Sequence, residues 1–333
     1  MNKQVFIIAE AGVNHNGKLD LAKALIDAAA SAGVDAVKFQ TFKAKKLLTQ
    51  NTPKAAYQKE TSGEGSQFDM IRKLELDKET HLILMDYCID KRLEFMSTPF
   101  DHDSIDMLDE IGIKRFKVGS GDLTNIPFLR HMASKSKPII LSTGMARMSE
   151  IEQACNAILQ TGFPKELLSL LHANTEYPTP YEDVNLRAMI AIHEKFGVTT
   201  GYSDHTPGIE IPVAAVSLGA AIIEKHFTLD RKMKGPDHKA SLEPDELAAM
   251  VNAVRHIEVA LGDGIKVPSP SEAKNMIAAR KSLVALKNIR EGEIFTIDNL
   301  GVKRPGNGIS PLNWDRYIGT PATRNYQQDE LIK

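Results

Sequence analysis

Residues 199–241 read TTGYSDHTPGIEIPVAAVSLGAAIIEKHFTLDRKMKGPDHKAS. Two short runs in this stretch end in histidine, GYSDH at His205 and AIIEKHF at His226. An apolar, alanine-rich segment, Ile209 to Leu218, lies between them and closes at Gly219. Strand, helix, strand is the βαβ unit, and it places both histidines at the C-terminal ends of neighbouring parallel strands. Two imidazoles converging there can share one divalent cation.

Outward from this unit, the same alternation fills most of the chain. Short apolar runs start at Val5, Ala36, Glu94, Arg115, Pro138 and Leu167, and an amphipathic segment follows each. Apolar strands with no inside/outside alternation are the mark of a sheet covered on both faces. Ser149 with Glu152 three residues on suggests a capping box opening one of the helices. With the two histidine runs the count reaches eight strands in about 260 residues, which favours a closed (β/α)8 barrel, a TIM barrel, over an open sheet. No GxGxxG turn follows the first strand, which weakens a dinucleotide-binding alternative. One long polar segment, Lys43 to Gln67, breaks the rhythm and reads as a functional loop.

The composition changes after Gly264. KVPSPSEAKNM reads as a linker over 265–281, and residues 282–333 as a small β-rich domain, with 1–264 as the barrel. So small a unit is marginal alone and is expected to pack on something else. A net charge of −2 makes no case for nucleic acid or an acidic membrane surface. No apolar run approaches the roughly 20 residues that cross a bilayer, and the N-terminus lacks a signal-peptide pattern. Cys88 and Cys155, both in apolar contexts, suit two buried thiols in a reducing compartment. A cytoplasmic enzyme is expected.

A barrel builds its site from the C-terminal strand ends. Those positions hold Glu10, Lys38, Gln40, Thr98, Lys117, Ser120, Asp122, Ser142, Asn174, Tyr177, Ser203, Asp204, His205, Glu224, His226 and Asp237. Lys38 in AVKF and Lys117 in RFKV are the informative pair, because an ammonium inside an apolar strand is costly unless it meets a negative group. With the neighbouring hydroxyls and the glycines of GSG they suggest an anion site for phosphate or carboxylate. A cation beside an anion cradle suits a phosphorylated or carboxylated substrate with a polarised carbonyl.

Ten phrases in order, AEAGVNHNG, AVKFQTFKA, MSTPFD, KVGSGD, LSTGM, NTEYPTPYEDVNL, SDHTPG, EKHFTLD, GPDHKASLEP and KRPGNGIS, resemble the sialic acid synthases. The resemblance covers nearly the whole chain. It implies a (β/α)8 barrel, an antifreeze-like (SAF) C-terminal domain and a domain-swapped homodimer. It implies condensation of phosphoenolpyruvate with an N-acylated mannosamine-type sugar, with N-acetylneuraminate as the expected product. A 2,4-diacetamido-2,4,6-trideoxymannose acceptor, giving a legionaminic acid, is the alternative, ahead of the 2,4-diacetamido-2,4,6-trideoxyaltrose acceptor of the pseudaminic acid branch, and a non-catalytic sugar-binding protein is the reading from a different class. Position by position it implies a divalent metal, usually manganese with magnesium or cobalt as substitutes, on His205 and His226. Lys38, Thr98, Lys117, Ser120, Ser142, Asn174 and Ser203 would hold phosphoenolpyruvate. Glu10 and Asp122 would manage protons. Tyr177 and Asp237 would meet the sugar, as would Arg304 from the partner's small domain. Asp122 stands where the family more often has the longer glutamate.

Overall fold

The computed structural model describes residues 4–49, 52 and 66–333. The chain divides into two compact units, Met1–Gly262 and Asp263–Lys333. In the first, eight strands form one parallel sheet: β1 Phe6–Gly12, β2 Ala36–Thr41, β3 Glu94–Pro99, β4 Phe116–Val118, β5 Ile139–Ser142, β6 Leu168–Ala173, β7 Thr199–Asp204 and β8 Ile222–His226. Their order is β3-β2-β1-β8-β7-β6-β5-β4. The two strands ending that order, β3 and β4, lie alongside each other and round the sheet into a barrel. The strands come where the sequence places them, each running a residue or more beyond its apolar run or trimmed by one.

The period of two residues along a strand decides what faces inward. Ile8, Ala36, Met96, Ile140, Leu171 and Ile222, one from each of six strands, pack together as one buried cluster inside the barrel. Two residues further along those strands come Glu10, Lys38, Thr98, Ser142, Ala173 and Glu224. The same face therefore changes from an apolar floor to a polar ring within one pleat. The opposite face, with Ile7, Phe39, Phe116 and Leu141, is buried under the helices. At Gly201 the backbone of β8 comes so close that a Cβ would stand 2.1 Å from the Ile222 carbonyl oxygen, so only glycine fits there.

Helix starts follow local capping chemistry. Asp77 caps Lys78–Asp90 and Asp101 caps His102–Glu110, each accepting a backbone N–H three residues on. The helix expected to begin at Ser149 begins at Met148. Its N-cap is Arg147, whose backbone N–H donates to Glu150 Oε2 at 2.7 Å, so the box glutamate is Glu150 rather than Glu152. The segment expected to be one loop, Lys43 to Gln67, carries a helical turn at Ala44–Leu47 and enters a helix, Gln67–Arg72, capped by Ser66. Positions 50, 51 and 53–65 of it lie outside the described residues.

In the second unit, the stretch 265–281 contains a helix, Pro270–Ala279, rather than plain linker, opened by a Ser269/Glu272 capping box and a proline at its start. Strands Ser282–Ala285 and Leu300–Lys303 pair antiparallel. Leu283, Ala285, Ile289, Phe295, Leu300, Ala322, Tyr326 and Ile332 give this unit its own buried core. Among the described residues no helix is long and apolar enough to cross a membrane.

Candidate active site

The polar ring opens into a cavity of about 180 Å³ at the C-terminal ends of the strands, lined by Glu10, Lys38, Thr98, Lys117, Ser120, Ser142, Tyr177, Ser203, His205, Glu224 and His226 among others. Side chains from every strand but β6 thus meet in one place. Four residues expected in the site are not among those lining it: Asp122, Asn174, Arg304 and Asp237, the last of which lines an adjoining chamber. The half-buried Asp122 closes a 3-10 turn, Ser120–Asp122, and its carboxylate accepts from Asn125 Nδ2 at 3.1 Å. Asn174 spends its side-chain oxygen on the backbone N–H of Glu176 at 2.8 Å, and only its carbonyl serves the site, as a partner of His205. Arg304 belongs to the other unit, where its Nε donates to the Ala279 carbonyl at 3.1 Å.

The two buried lysines are not bare cations. Lys38 Nζ lies 2.6 Å from Glu10 Oε2 and donates to Thr98 Oγ1 at 2.9 Å. Lys117 Nζ lies 3.3 Å from Glu224 Oε1 and donates to Ser142 Oγ at 2.8 Å. Glu224 also stands 3.8 Å from Lys38 and accepts from Ser203 Oγ at 2.9 Å. Glu10, Lys38, Glu224 and Lys117 therefore form a chain of contacts in which carboxyl and ammonium groups alternate. Glu224 sits on a strand end in the sequence, but its role escaped the reading; a charge inside the apolar run IIEKHF is the same cue that singled out the lysines.

The two carboxyls differ. Burial pushes Glu10 up to about 7, against the pull of Lys38 and with a further push from Glu224. Burial acts on Glu224 as well, but Lys117 and Lys38 outweigh it and hold Glu224 well below the usual range. Environments that separate two neighbouring carboxyls in this way assign one as a proton carrier and the other as fixed charge. Burial also lowers the Lys117 ammonium.

His205 and His226 stand with ring centroids 5.3 Å apart. The Asn174 carbonyl engages His205 Nδ1, which leaves Nε2 for the cavity. His226 Nδ1 is buried without a hydrogen-bond partner, and the Asp237 carboxylate lies 4.0 Å from it. Burial lowers His205 to about 4 and takes His226 well below its ordinary value. Both imidazoles are thus neutral at pH 7, the form that ligates a metal. An orphaned ring nitrogen beside a second neutral imidazole fits a divalent cation. Among the described residues no group of three or more His, Cys, Asp or Glu is placed to hold an ion, so two histidines would leave coordination positions open.

A second chamber, of about 280 Å³, adjoins the first. Gln40, Phe100, Tyr177 and His226 line both. Asp237 reaches this outer chamber, where burial raises its carboxyl to about 6. Its remaining walls are mostly apolar: Val13, Phe42, Leu47, Leu48, Met70, Ile71 and Leu74. Most of that wall comes from Phe42 to Leu48 and Met70 to Leu74, at the start of the segment expected as a functional loop and just beyond its end.

The barrel matches the NeuB family over residues 25–266, and the tail matches the SAF domain over 280–333. An N,N'-diacetyllegionaminic acid synthase of Campylobacter jejuni is 53% identical over 332 residues, 99% of each chain. An N,N'-diacetyllegionaminic acid synthase of Legionella pneumophila is 44% identical over 96% of this chain and 91% of its own. The crystal structure of N-acetylneuraminic acid (sialic acid) synthetase from Leptospira borgpetersenii in complex with citrate superposes with a TM-score of 0.74 at 39% identity, covering 83% of this chain and 91% of that one.

Proposed function

Because the chain belongs to the NeuB family, we propose that it condenses phosphoenolpyruvate with the open-chain form of 2,4-diacetamido-2,4,6-trideoxymannose and water, giving N,N'-diacetyllegionaminate and phosphate. The sequence put N-acetylmannosamine first as acceptor and the trideoxy sugar second. The observation that reverses this order is the outer chamber. A C6 methyl and a C4 acetamido methyl are apolar groups that profit from Val13, Phe42, Met70, Ile71 and Leu74, whereas C4 and C6 hydroxyls set against those five side chains would find no partner in them, the chamber's polar side chains being Gln40, Gln67, Tyr177, His226 and Asp237. The likeness to two named legionaminic acid synthases supports the same choice.

In this reading the inner cavity takes phosphoenolpyruvate. Lys38 and Lys117, with Thr98, Ser120, Ser142 and Ser203, hold its carboxylate and phosphate in a preorganised electrostatic site. Asn174 contributes by orienting His205. His205 and His226 hold a divalent cation, manganese first, with magnesium or cobalt as substitutes. The chemistry such a cation supplies is Lewis acidity toward the sugar aldehyde. Tyr177, which lines both chambers, and Asp237, which lines the outer one, orient the sugar, so that C3 of phosphoenolpyruvate faces its aldehyde carbon. The new bond forms between those carbons, water adds at C2, and phosphate leaves with cleavage of its C–O bond. Glu10, with a carboxyl that exchanges its proton near neutrality, takes the proton of the added water. Asp122 is held against Asn125 and acts at most on the shape of its turn. Arg304 would meet the sugar from the partner's small domain in a swapped homodimer. Two buried thiols suit a cytoplasmic setting.

The test is phosphate release from phosphoenolpyruvate with each acceptor in turn. The trideoxy sugar is expected to give a kcat/KM about 10–100-fold above N-acetylmannosamine, the scale on which an apolar wall discriminates. Equal or better turnover of N-acetylmannosamine overturns the acceptor assignment. Absence of phosphate release with any acceptor overturns the reaction.

A further inference from the structure

On the outer face of the barrel, Lys225 of β8 and Asp204 of β7 are partners in the strand register and form an ion pair with both side chains 0% exposed. Their neighbours on that face, Tyr202 and Ile223, are buried, and the Tyr202 hydroxyl has no hydrogen-bond partner among the described residues. The pair encloses Thr206, two residues beyond Asp204. Asp204 Oδ1 accepts the Thr206 backbone N–H at 3.1 Å, and Oδ2 accepts the Thr206 hydroxyl at 3.0 Å. Lys225 Nζ donates to Asp204 and to the Thr206 carbonyl. The hydroxyl, amide and carbonyl of Thr206 are thus all held by these two side chains.

A buried ion pair at such a place gives less stability than apolar side chains of equal volume would, because desolvating two charges offsets most of their attraction. Its position along the chain offers another role. Asp204 and Thr206 flank His205, and Lys225 immediately precedes His226. The clamp therefore ties the turn that carries one imidazole to the strand that carries the other, from the side opposite the cavity. Neither Asp204 nor Lys225 lines the cavity.

We propose that Lys225 and Asp204 are a positioning pair that fixes the separation of His205 and His226 at which the two imidazoles take one divalent cation; this rests on the two-histidine cation site argued above. Breaking the pair on one side would leave an unpaired buried charge, so the informative variant is the double substitution Lys225→Met with Asp204→Asn, which removes both charges and keeps an acceptor for Thr206. Manganese(II) is titrated into the purified full chain and the free ion is read by electron paramagnetic resonance, for wild type, His226→Ala and the double variant. Circular dichroism and the thermal midpoint are recorded on the same samples. The double variant is expected to keep its fold and midpoint while its manganese dissociation constant rises about 10–100-fold, the usual effect of losing groups that orient metal ligands. A folded double variant that binds manganese within twofold of wild type overturns the positioning role alone. Wild type that binds no manganese overturns the two-histidine site, and the positioning role with it. Should the double variant not fold, Thr206→Ala removes one anchor and leaves the ion pair. It is expected to weaken manganese binding by about threefold, one hydrogen bond's worth, and unchanged binding overturns the proposal.

Discussion

Glu224 Oε1 and Lys117 Nζ lie 3.3 Å apart at the barrel mouth, and both side chains are almost wholly shielded from water. Glu224 also faces Lys38, at 3.8 Å, so one carboxylate balances parts of two ammonium groups. An anionic substrate entering this ring competes with it. Replacing Glu224 by Gln removes one negative charge and keeps the hydrogen bond with Ser203. The expected result is a lower KM for phosphoenolpyruvate, by about tenfold if the gain is near 1.4 kcal/mol, together with a lower thermal midpoint from uncompensated buried cations. Steady-state kinetics and a melting curve check both. A raised KM would mean that Glu224 helps binding rather than opposing it.

The Glu10 carboxyl, pushed up to about 7 by burial, sets a pH dependence. Below that pH Glu10 is neutral and cannot accept the proton of the added water. Above it the carboxylate is present. kcat/KM should therefore rise with pH along a limb centred near 7. Glu10→Gln should lose most activity at every pH and show no such limb, and an unchanged limb in this variant would assign it to another group.

Removing one imidazole tests the cation site through activity. His226→Ala should retain the far-ultraviolet circular dichroism of wild type and lose turnover by about a thousandfold or more, as expected when a Lewis acid is lost. Chelation of wild type followed by dialysis should reproduce the loss, and added manganese should restore wild type only. A variant working at the wild-type rate after chelation would remove the two histidines from the mechanism.

The two cysteines test burial rather than chemistry. Burial drives Cys88 up to about 12 and Cys155 to about 11, and neither thiol is bonded to the other. Reaction requires the thiolate. Titration with a disulfide reagent at pH 8 should find no reactive thiol in the native protein and two after denaturation in guanidinium. A fast native thiol would mean that its helix opens readily.

Much of the barrel could be read from the chain because each strand is a short apolar run, and the polar residue that ends it marks the site. Lys38, Lys117, His205 and His226 stood out for one reason: each puts a polar group inside or just after a buried strand, and the structure brings all four to one cavity. Glu224 carries the same mark, a charge inside the apolar run that ends at His226. The directions of short side chains were not legible. Asp122 and Asn174 sit at strand ends but turn toward Asn125 and Glu176, a choice made by local hydrogen bonds that spacing does not encode. Nor was the apolar wall legible, because Phe42 and Leu74 are 32 positions apart and meet only after the intervening chain folds back.

That wall yields the last expectation. Val13, Phe42 and Leu74 form a buried cluster, with Leu47, Ile71 and Phe100 packed against it. Ile71 is half-buried and lines the outer chamber, so a polar replacement there disturbs the core less than one at Phe42 or Leu74. Ile71→Ser removes apolar surface that a deoxy methyl or an acetamido methyl would cover, and offers a hydroxyl to a sugar that carries its own. Turnover of the 2,4-diacetamido-2,4,6-trideoxy acceptor should fall by about tenfold, in line with about 1–3 kcal/mol per lost methylene contact, while N-acetylmannosamine changes little. The quantity to follow is the ratio of the two kcat/KM values. If both acceptors lose activity in equal measure, the side chain serves folding or phosphoenolpyruvate binding, and the outer chamber does not select the sugar. If the ratio narrows at constant phosphoenolpyruvate KM, the apolar wall is what distinguishes a methyl-bearing acceptor from a hydroxylated one.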